Sequence, residues 1–143
     1  MKIAIVDDCP DFAFIVEMQI RAYNETATGE NLELDVYNSP VGFMRLMKGF
    51  DVCQYDIILI DVNMPVANGF EVRNQIRLVC NDIKIFLVSG TIYKHETFKD
   101  YQSIIRKDEF SIRDVLIEAE SISRFMNNLE IDLYEEDTKI LYI

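Results

Sequence analysis

Four separated positions carry most of the polar chemistry of this chain, and each follows or ends an apolar run. Asp7 and Asp8 follow Ile3-Ala4-Ile5-Val6, and Asp61 follows Ile57-Ile58-Leu59-Ile60. Ser89 comes after Ile83 to Val88, and Lys107 after Ile104-Ile105. Strands of one parallel sheet bring such ends to one edge. Three carboxylates, a hydroxyl and an ammonium meeting there form a cation site able to carry a phosphoryl group. Carboxylates a few ångströms apart repel by roughly 3–4 kcal/mol per pair at an effective dielectric of 20, and a divalent cation removes that cost.

The elements that must position these groups can be read in order. Lys2 to Val6 suits a buried strand. Pro10 then fits a first helical position, with Phe12, Ile15, Val16, Gln19, Ala22 and Tyr23 marking one helix face. Leu32 to Tyr37 alternates apolar and acidic residues, as a strand near an edge does, and Asn38-Ser39-Pro40 caps a short helix. Tyr55 to Ile60 is apolar on both faces and belongs at the centre of a sheet. After the Asp61 to Gly69 loop, Phe70, Val72, Ile76 and Val79 predict a third helix. Lys84 to Val88 predicts a fourth strand, Tyr93 to Tyr101 a fourth helix, and Ser103 to Ile105 a fifth strand. Ser111 caps a long last helix in which Ile112, Val115, Leu116, Ala119, Ile122 and Met126 keep a 3.6-residue period. Five β/α units imply an α/β fold, a doubly wound parallel sheet with right-handed crossovers. Residues 1–128 are assigned to this domain. The extension 129–143 fits a hairpin, a helix extension or a docking arm.

Bulk composition narrows the function. The 143 residues fit one domain of this size, half of them are hydrophobic, and the formal charge of −11 argues against direct nucleic-acid binding. No run approaches the roughly 20 apolar residues of a membrane span, so a cytoplasmic location without membrane insertion is expected. Cys9, Cys53 and Cys80 lack the spacing of zinc or redox motifs and read as reduced thiols. His95 has neither metal-ligand spacing nor a nucleophile partner and reads as an ordinary helix residue.

Taken together, Ile3 to Asp8, Asp56 to Pro65 with Gly69, Leu87 to Gly90 and Lys107 resemble the receiver domain of bacterial two-component response regulators, in a stand-alone form. The resemblance runs from Met1 to about Asn127, and its specific part is Asp61-Val62-Asn63-Met64-Pro65 with Gly69. It implies a flavodoxin-like sheet of strand order 2-1-3-4-5. It also implies a phosphorylation-controlled signalling switch fed by a sensor histidine kinase or phosphotransfer protein, with output through a target protein or a homodimer.

An oxygen-only donor set around an open position suits Mg²⁺. By resemblance Asp8 and Asp61 ligate it directly, Asp7 acts largely through water, and the Asn63 carbonyl completes the set. Asp61 is the expected phosphoacceptor because it ends the central strand and heads the tight loop. Lys107 and Ser89 then neutralise and hydrogen-bond phosphoryl oxygens, and Asn63 and Thr91 flank the group and set its loss to water.

Two positions depart from the family pattern. Asp108 replaces the usual Pro after Lys107, and Ile104 replaces the usual Tyr or Phe. Both leave room for a phosphorylation-independent interaction module. The interval from Ser89 to Lys107 is also short for the family, which implies a reshaped fourth helix. An aspartate-based phosphohydrolase is disfavoured because Asn63 stands where a second carboxylate would act as general acid, so no enzyme of that kind is expected.

Overall fold

A computed structural model describes residues 1–26, 29–49, 51–90 and 104–141. The helix expected over Tyr93 to Tyr101, and with it Thr91 and His95, lies outside the described residues. The chain divides into two compact units, Met1–Ile112 and Arg113–Ile143.

The first unit is built on five parallel strands in the order β2-β1-β3-β4-β5. These are β1 (Lys2–Val6), β2 (Glu33–Tyr37), β3 (Ile57–Asp61), β4 (Lys84–Ser89) and β5 (Ile104–Arg106). All five residues of β3 are buried, which is the environment its unbroken Ile57-Ile58-Leu59-Ile60 run requires at the sheet centre. The strands β2 and β5 stand at the edges and are only partly covered. Around the sheet lie α1 (Pro10–Thr26), a single turn α2 (Pro40–Met44) continued by the 3₁₀ segments Arg45–Gly49 and Asp51–Gln54, and α3 (Gly69–Val79).

Alternation along the strands sends successive side chains to opposite faces. Ala4, Val6, Ile58, Ile60, Ile85 and Leu87 join Phe43, Val52, Val72 and Ile76 in one core cluster. Ile3, Ile5, Ile57, Leu59, Phe86 and Val88 are equally buried on the alternate parity. Phe43 is fully covered, and burying a side chain of this kind contributes roughly 1.5–3 kcal/mol. Ser39 caps α2, its Oγ accepting from the Gly42 amide at 3.3 Å, with Pro40 at the first helical position as expected.

The buried face of α1 differs from the expected one. Phe12, Ala13, Val16 and Ile20 are buried, whereas Ile15 is 45 % exposed and Ala22 is exposed. The run Phe12 to Val16 is apolar throughout, so periodicity admits two faces. Packing selects the one that repeats at four-residue intervals from Phe12.

The second unit belongs to α4 (Ile112–Leu141), a continuous helix of 30 residues. The helix passes through positions 128 and 129 without a break, so the backbone of the extension is helical as far as Leu141. No described helix is long and apolar enough to cross a membrane.

Candidate functional site

Sheet register sets the site before any side chain is considered. Val6 pairs with Ile60, so Asp7 stands level with Asp61 one step further along. Asp61 pairs with Val88, and Ser89 pairs with Arg106. Asp7, Asp61, Ser89 and Lys107 therefore leave adjacent strands at the same carboxyl edge, where open α/β sheets bind ligands.

The side chains converge as this register requires. Carboxylate oxygens of Asp7, Asp8 and Asp61 all lie within 4.8 Å of one another. Asp7 is completely buried and Asp61 is 4 % exposed, while Asp8 opens to solvent. The Lys107 ammonium reaches between them, 2.8 Å from Asp7 Oδ2 and 3.5 Å from Asp61 Oδ2. Asp7 Oδ1 accepts from the Cys9 amide at 2.8 Å, and Asp61 Oδ1 accepts from the Asn63 amide at 3.3 Å. Asp7 Oδ2 is buried without a well-oriented hydrogen bond, so its contact with Lys107 is chiefly ionic. Ser89 is fully buried at the end of β4.

Burial, then the charge of Asp7, pushes the Asp61 carboxyl up to about 6 from 3.8, against the lowering effects of Lys107 and of the Asn63 amide. For Lys107, burial alone would lower the ammonium. Its close contact with the Asp7 carboxylate and the charges of Asp7 and Asp61 outweigh burial and raise it. Each group thus compensates the other, and one cation faces two buried carboxylates. That deficit of positive charge, with an all-oxygen donor set, fits a hard divalent ion such as Mg²⁺.

The loop after β3 is shaped by residues the motif singled out. Gly69 opens α3, and a Cβ there would stand 2.6 Å from the Asp61 carbonyl oxygen and 3.0 Å from Val62 Cα. Only glycine lets the helix start this close to the strand end, and the Gly69 amide donates to Val62 O at 3.0 Å. Asn68 caps α3 by accepting from the Glu71 amide at 2.9 Å, while its own amide donates to Glu71 Oε1 at 3.4 Å. Val66, between Pro65 and Ala67, has φ 78°, an uncommon conformation for a β-branched residue.

Two supports of Lys107 were not foreseen. Its ammonium lies 5.1 Å from the centre of the Phe12 ring, and Phe12 meets Phe110 edge to face at 5.3 Å. The Gln19 side chain donates to Phe110 O at 3.0 Å and accepts from the Ile112 amide at 2.8 Å. The sequence pattern places both Phe12 and Gln19 on the predicted helix face and assigns neither a role toward Lys107. The available signal was that Phe12 lies in the first turn of the helix that follows Asp7-Asp8. The Lys107–Asp108 bond is trans, as are all peptide bonds among the described residues, and Arg106 holds Asp108 through a 2.6 Å ion pair. Among the predicted site residues, the structure gathers Asp7, Asp8, Asp61 and Lys107, with the Asn63 amide on Asp61. Thr91 lies outside the described residues.

No family model matches the sequence, and no curated protein matches it either. Many solved structures share the fold. The signal receiver domain of NarL from Mycobacterium tuberculosis is 18% identical, with a TM-score of 0.65 over 83% of this chain and 95% of that one. A response regulator receiver domain protein from Clostridium thermocellum is 14% identical, with a TM-score of 0.66 over 90% of this chain and 98% of that one. The response regulator TrrA from Thermotoga maritima, solved in complex with Mg²⁺ and BeF, is 25% identical. Its TM-score is 0.53 over 73% of this chain and 82% of that one. The chain has the receiver fold of response regulators, with the strand order 2-1-3-4-5 that the sequence resemblance implied.

Proposed function

We propose that this protein is a phosphorylation-controlled signalling switch in which Asp61 accepts a phosphoryl group from the phosphohistidine of a sensor kinase or phosphotransfer protein. The observation that carries this reading is the placement of a buried Asp61 within 4.8 Å of Asp7 and Asp8, with the Lys107 ammonium 3.5 Å away. An Asp61 carboxylate oxygen forms the new bond to phosphorus as the phosphorus–nitrogen bond of the donor breaks, and a proton goes to the departing imidazole. Asp7, Asp8 and Asp61, with the Asn63 carbonyl, would hold Mg²⁺. A bound Mg²⁺ supplies charge neutralisation for the phosphoryl oxygens and for the carboxylates around them.

Lys107 begins between two carboxylates and gains a phosphoryl oxygen as a third anionic partner. Phosphorylation adds about 1.5 to 2 negative charges, so it draws the ammonium from Asp7 and Asp61 toward the new group. The buried Ser89 hydroxyl donates to another phosphoryl oxygen. Such a differential contact biases a two-state loop, and the output is altered binding to a target protein or to a second copy. Asn63 and Thr91 flank the phosphoryl group and govern its slow loss to water. The protein is an acceptor rather than a turnover catalyst, and it acts in the cytoplasm without binding nucleic acid directly.

The test is incubation with Mg²⁺ and acetyl phosphate followed by intact mass. Wild type gains one phosphoryl group and Asp61→Asn gains none; absence of the adduct from wild type, or its persistence in the variant, overturns the reading. A second reading, a phosphorylation-independent interaction module, draws support from the half-buried Ile104 and from Asp108, held by Arg106 rather than replaced by Pro. Partner binding that ignores both phosphodonor and Asp61→Asn would favour it.

A further inference from the structure

Two amide side chains of α1 make clasps of the same design at different places. Asn24 donates to Leu32 O and accepts from the Leu32 amide, both at 2.9 Å, and so ties the helix to the entry of β2. Gln19 donates to Phe110 O at 3.0 Å and accepts from the Ile112 amide at 2.8 Å. One backbone partner is a carbonyl and the other an N–H, so the clasp needs a side chain that carries both a donor and an acceptor. Both bonds are partly buried, and each joins α1 to the segment that follows β5.

That segment carries Lys107 and is weakly held by its own sequence. From Lys107 to Ile112 it contains no proline. Its 3₁₀ turn Lys107–Glu109 closes with the Phe110 amide donating to Lys107 O at 3.4 Å, a long bond. The ion pairs from Arg106 to Asp108 and Glu109 lie on the surface, where such pairs contribute little. Phe110, held through its carbonyl by Gln19, is buried edge to face against Phe12, whose ring faces the Lys107 ammonium. We infer that Gln19 is a positioning residue for phosphoryl uptake: by gripping the backbone on both sides of Ser111, it fixes where the Lys107 ammonium stands against Asp61. The inference rests on the reading of Asp61 as the acceptor, and it assigns the setting of that reaction's cation to α1.

The role separates two properties of the site. The ammonium stands 3.5 Å from Asp61 Oδ2, where an incoming phosphoryl oxygen would meet it, and a displacement of about 1 Å in such a group can slow a reaction on the order of a hundredfold. The same ammonium competes with a divalent ion for the carboxylates of Asp7 and Asp61, so freeing it leaves the metal site no weaker. Opening the Gln19 clasp therefore slows uptake while Mg²⁺ affinity holds or rises. A general loosening of the sheet edge would weaken both. Asn24 provides the matched comparison, since its clasp anchors the same helix at a place remote from Lys107.

The test compares Gln19→Met and Asn24→Leu, which each remove an amide and keep a side chain of similar length, with Phe12→Leu as a second route to Lys107. Three readouts are taken on the whole chain: acetylation of Lys107 by a limiting succinimidyl ester without metal, with the other lysines as internal standards; Mg²⁺ affinity by calorimetry; and the rate of phosphoryl uptake from acetyl phosphate by intact mass. Gln19→Met should label at Lys107 at least about threefold faster than wild type, as a loosened segment opens more often. Its uptake should be roughly tenfold or more slower, with Mg²⁺ bound at least as tightly. Phe12→Leu should shift labelling and uptake in the same directions. Asn24→Leu should stay within about twofold of wild type in all three, because its site is distant and shares no partner with Lys107. Wild type that gains no phosphoryl group overturns the acceptor reading and this role with it. With wild type phosphorylated, unchanged Lys107 labelling in Gln19→Met, equal slowing by Asn24→Leu, or Mg²⁺ binding weakened along with uptake overturns the positioning role alone.

Discussion

Replacing Asp61 with Asn should stabilise the metal-free protein, although the site loses its proposed acceptor. In the folded chain the Asp61 carboxyl is raised from 3.8 to about 6, first by burial and then by Asp7. The folded state therefore binds more protons than the unfolded state between those values, and stability falls as pH rises through that window. A difference of about two units at about 1.4 kcal/mol each puts the cost of the ionised carboxylate near 3 kcal/mol at pH 7. Because Lys107 and Asp7 readjust around the change, a gain of about 1–3 kcal/mol is expected, or roughly 3–10 °C in melting temperature. The linkage also fixes the pH dependence: the advantage of Asn is full above pH 6, falls to about half by pH 5 and disappears below about pH 4. Thermal melts of both proteins by circular dichroism, in chelator and across that range, provide the measurement. An Asn variant less stable than wild type at pH 7, or an advantage that does not shrink toward pH 4, would refute the electrostatic account. Millimolar Mg²⁺ should raise the wild-type midpoint and leave the variant nearly unmoved, because the ion offsets the charge that only wild type carries.

Three further outcomes follow from the same geometry. Lys107→Met leaves two buried carboxylates without their cation and should cost about 3–5 kcal/mol by urea unfolding at neutral pH, with most of the loss recovered as the carboxylates protonate in acid. Gly69→Ala drives a methyl group to 2.6 Å from the Asp61 carbonyl, so it should lower stability by about 2 kcal/mol or more and slow phosphoryl uptake from acetyl phosphate by displacing the acceptor backbone. Val66→Gly removes a β-branched side chain that is 86 % exposed and held at φ 78°; relief of strain should exceed the entropy cost of glycine and give a gain of about 1 kcal/mol in the same urea assay.

Much of this architecture was legible because burial imposes simple patterns on sequence. The run Ile57 to Ile60 could only be satisfied at the sheet centre, and placing it there carried Asp61 to the edge where Asp7 already stood. Gly69 was singled out with the loop motif, and its reason is the contact with Asp61 that a side chain would violate. Other features depend on tertiary choice. The apolar surplus of Phe12 to Val16 left the buried face of α1 open between two solutions, and the wrong one included Ile15 and Ala22. Phe12 and Gln19 acquire their roles toward Lys107 only once α1 is placed.

The twofold grip of α1 on the Lys107 segment has a mechanical consequence. An aromatic ring faces the ammonium, and one amide side chain clasps the chain on either side of Ser111. Because Gln19 donates and accepts at once, neither glutamate nor methionine can reproduce that clasp. Lys107 is thereby tied to the first helix as well as to the sheet, where β5 pairs with β4 along all three of its residues. Any binding partner that levers α1 by even a fraction of an ångström would retune the electrostatics of the acidic cluster without touching a carboxylate.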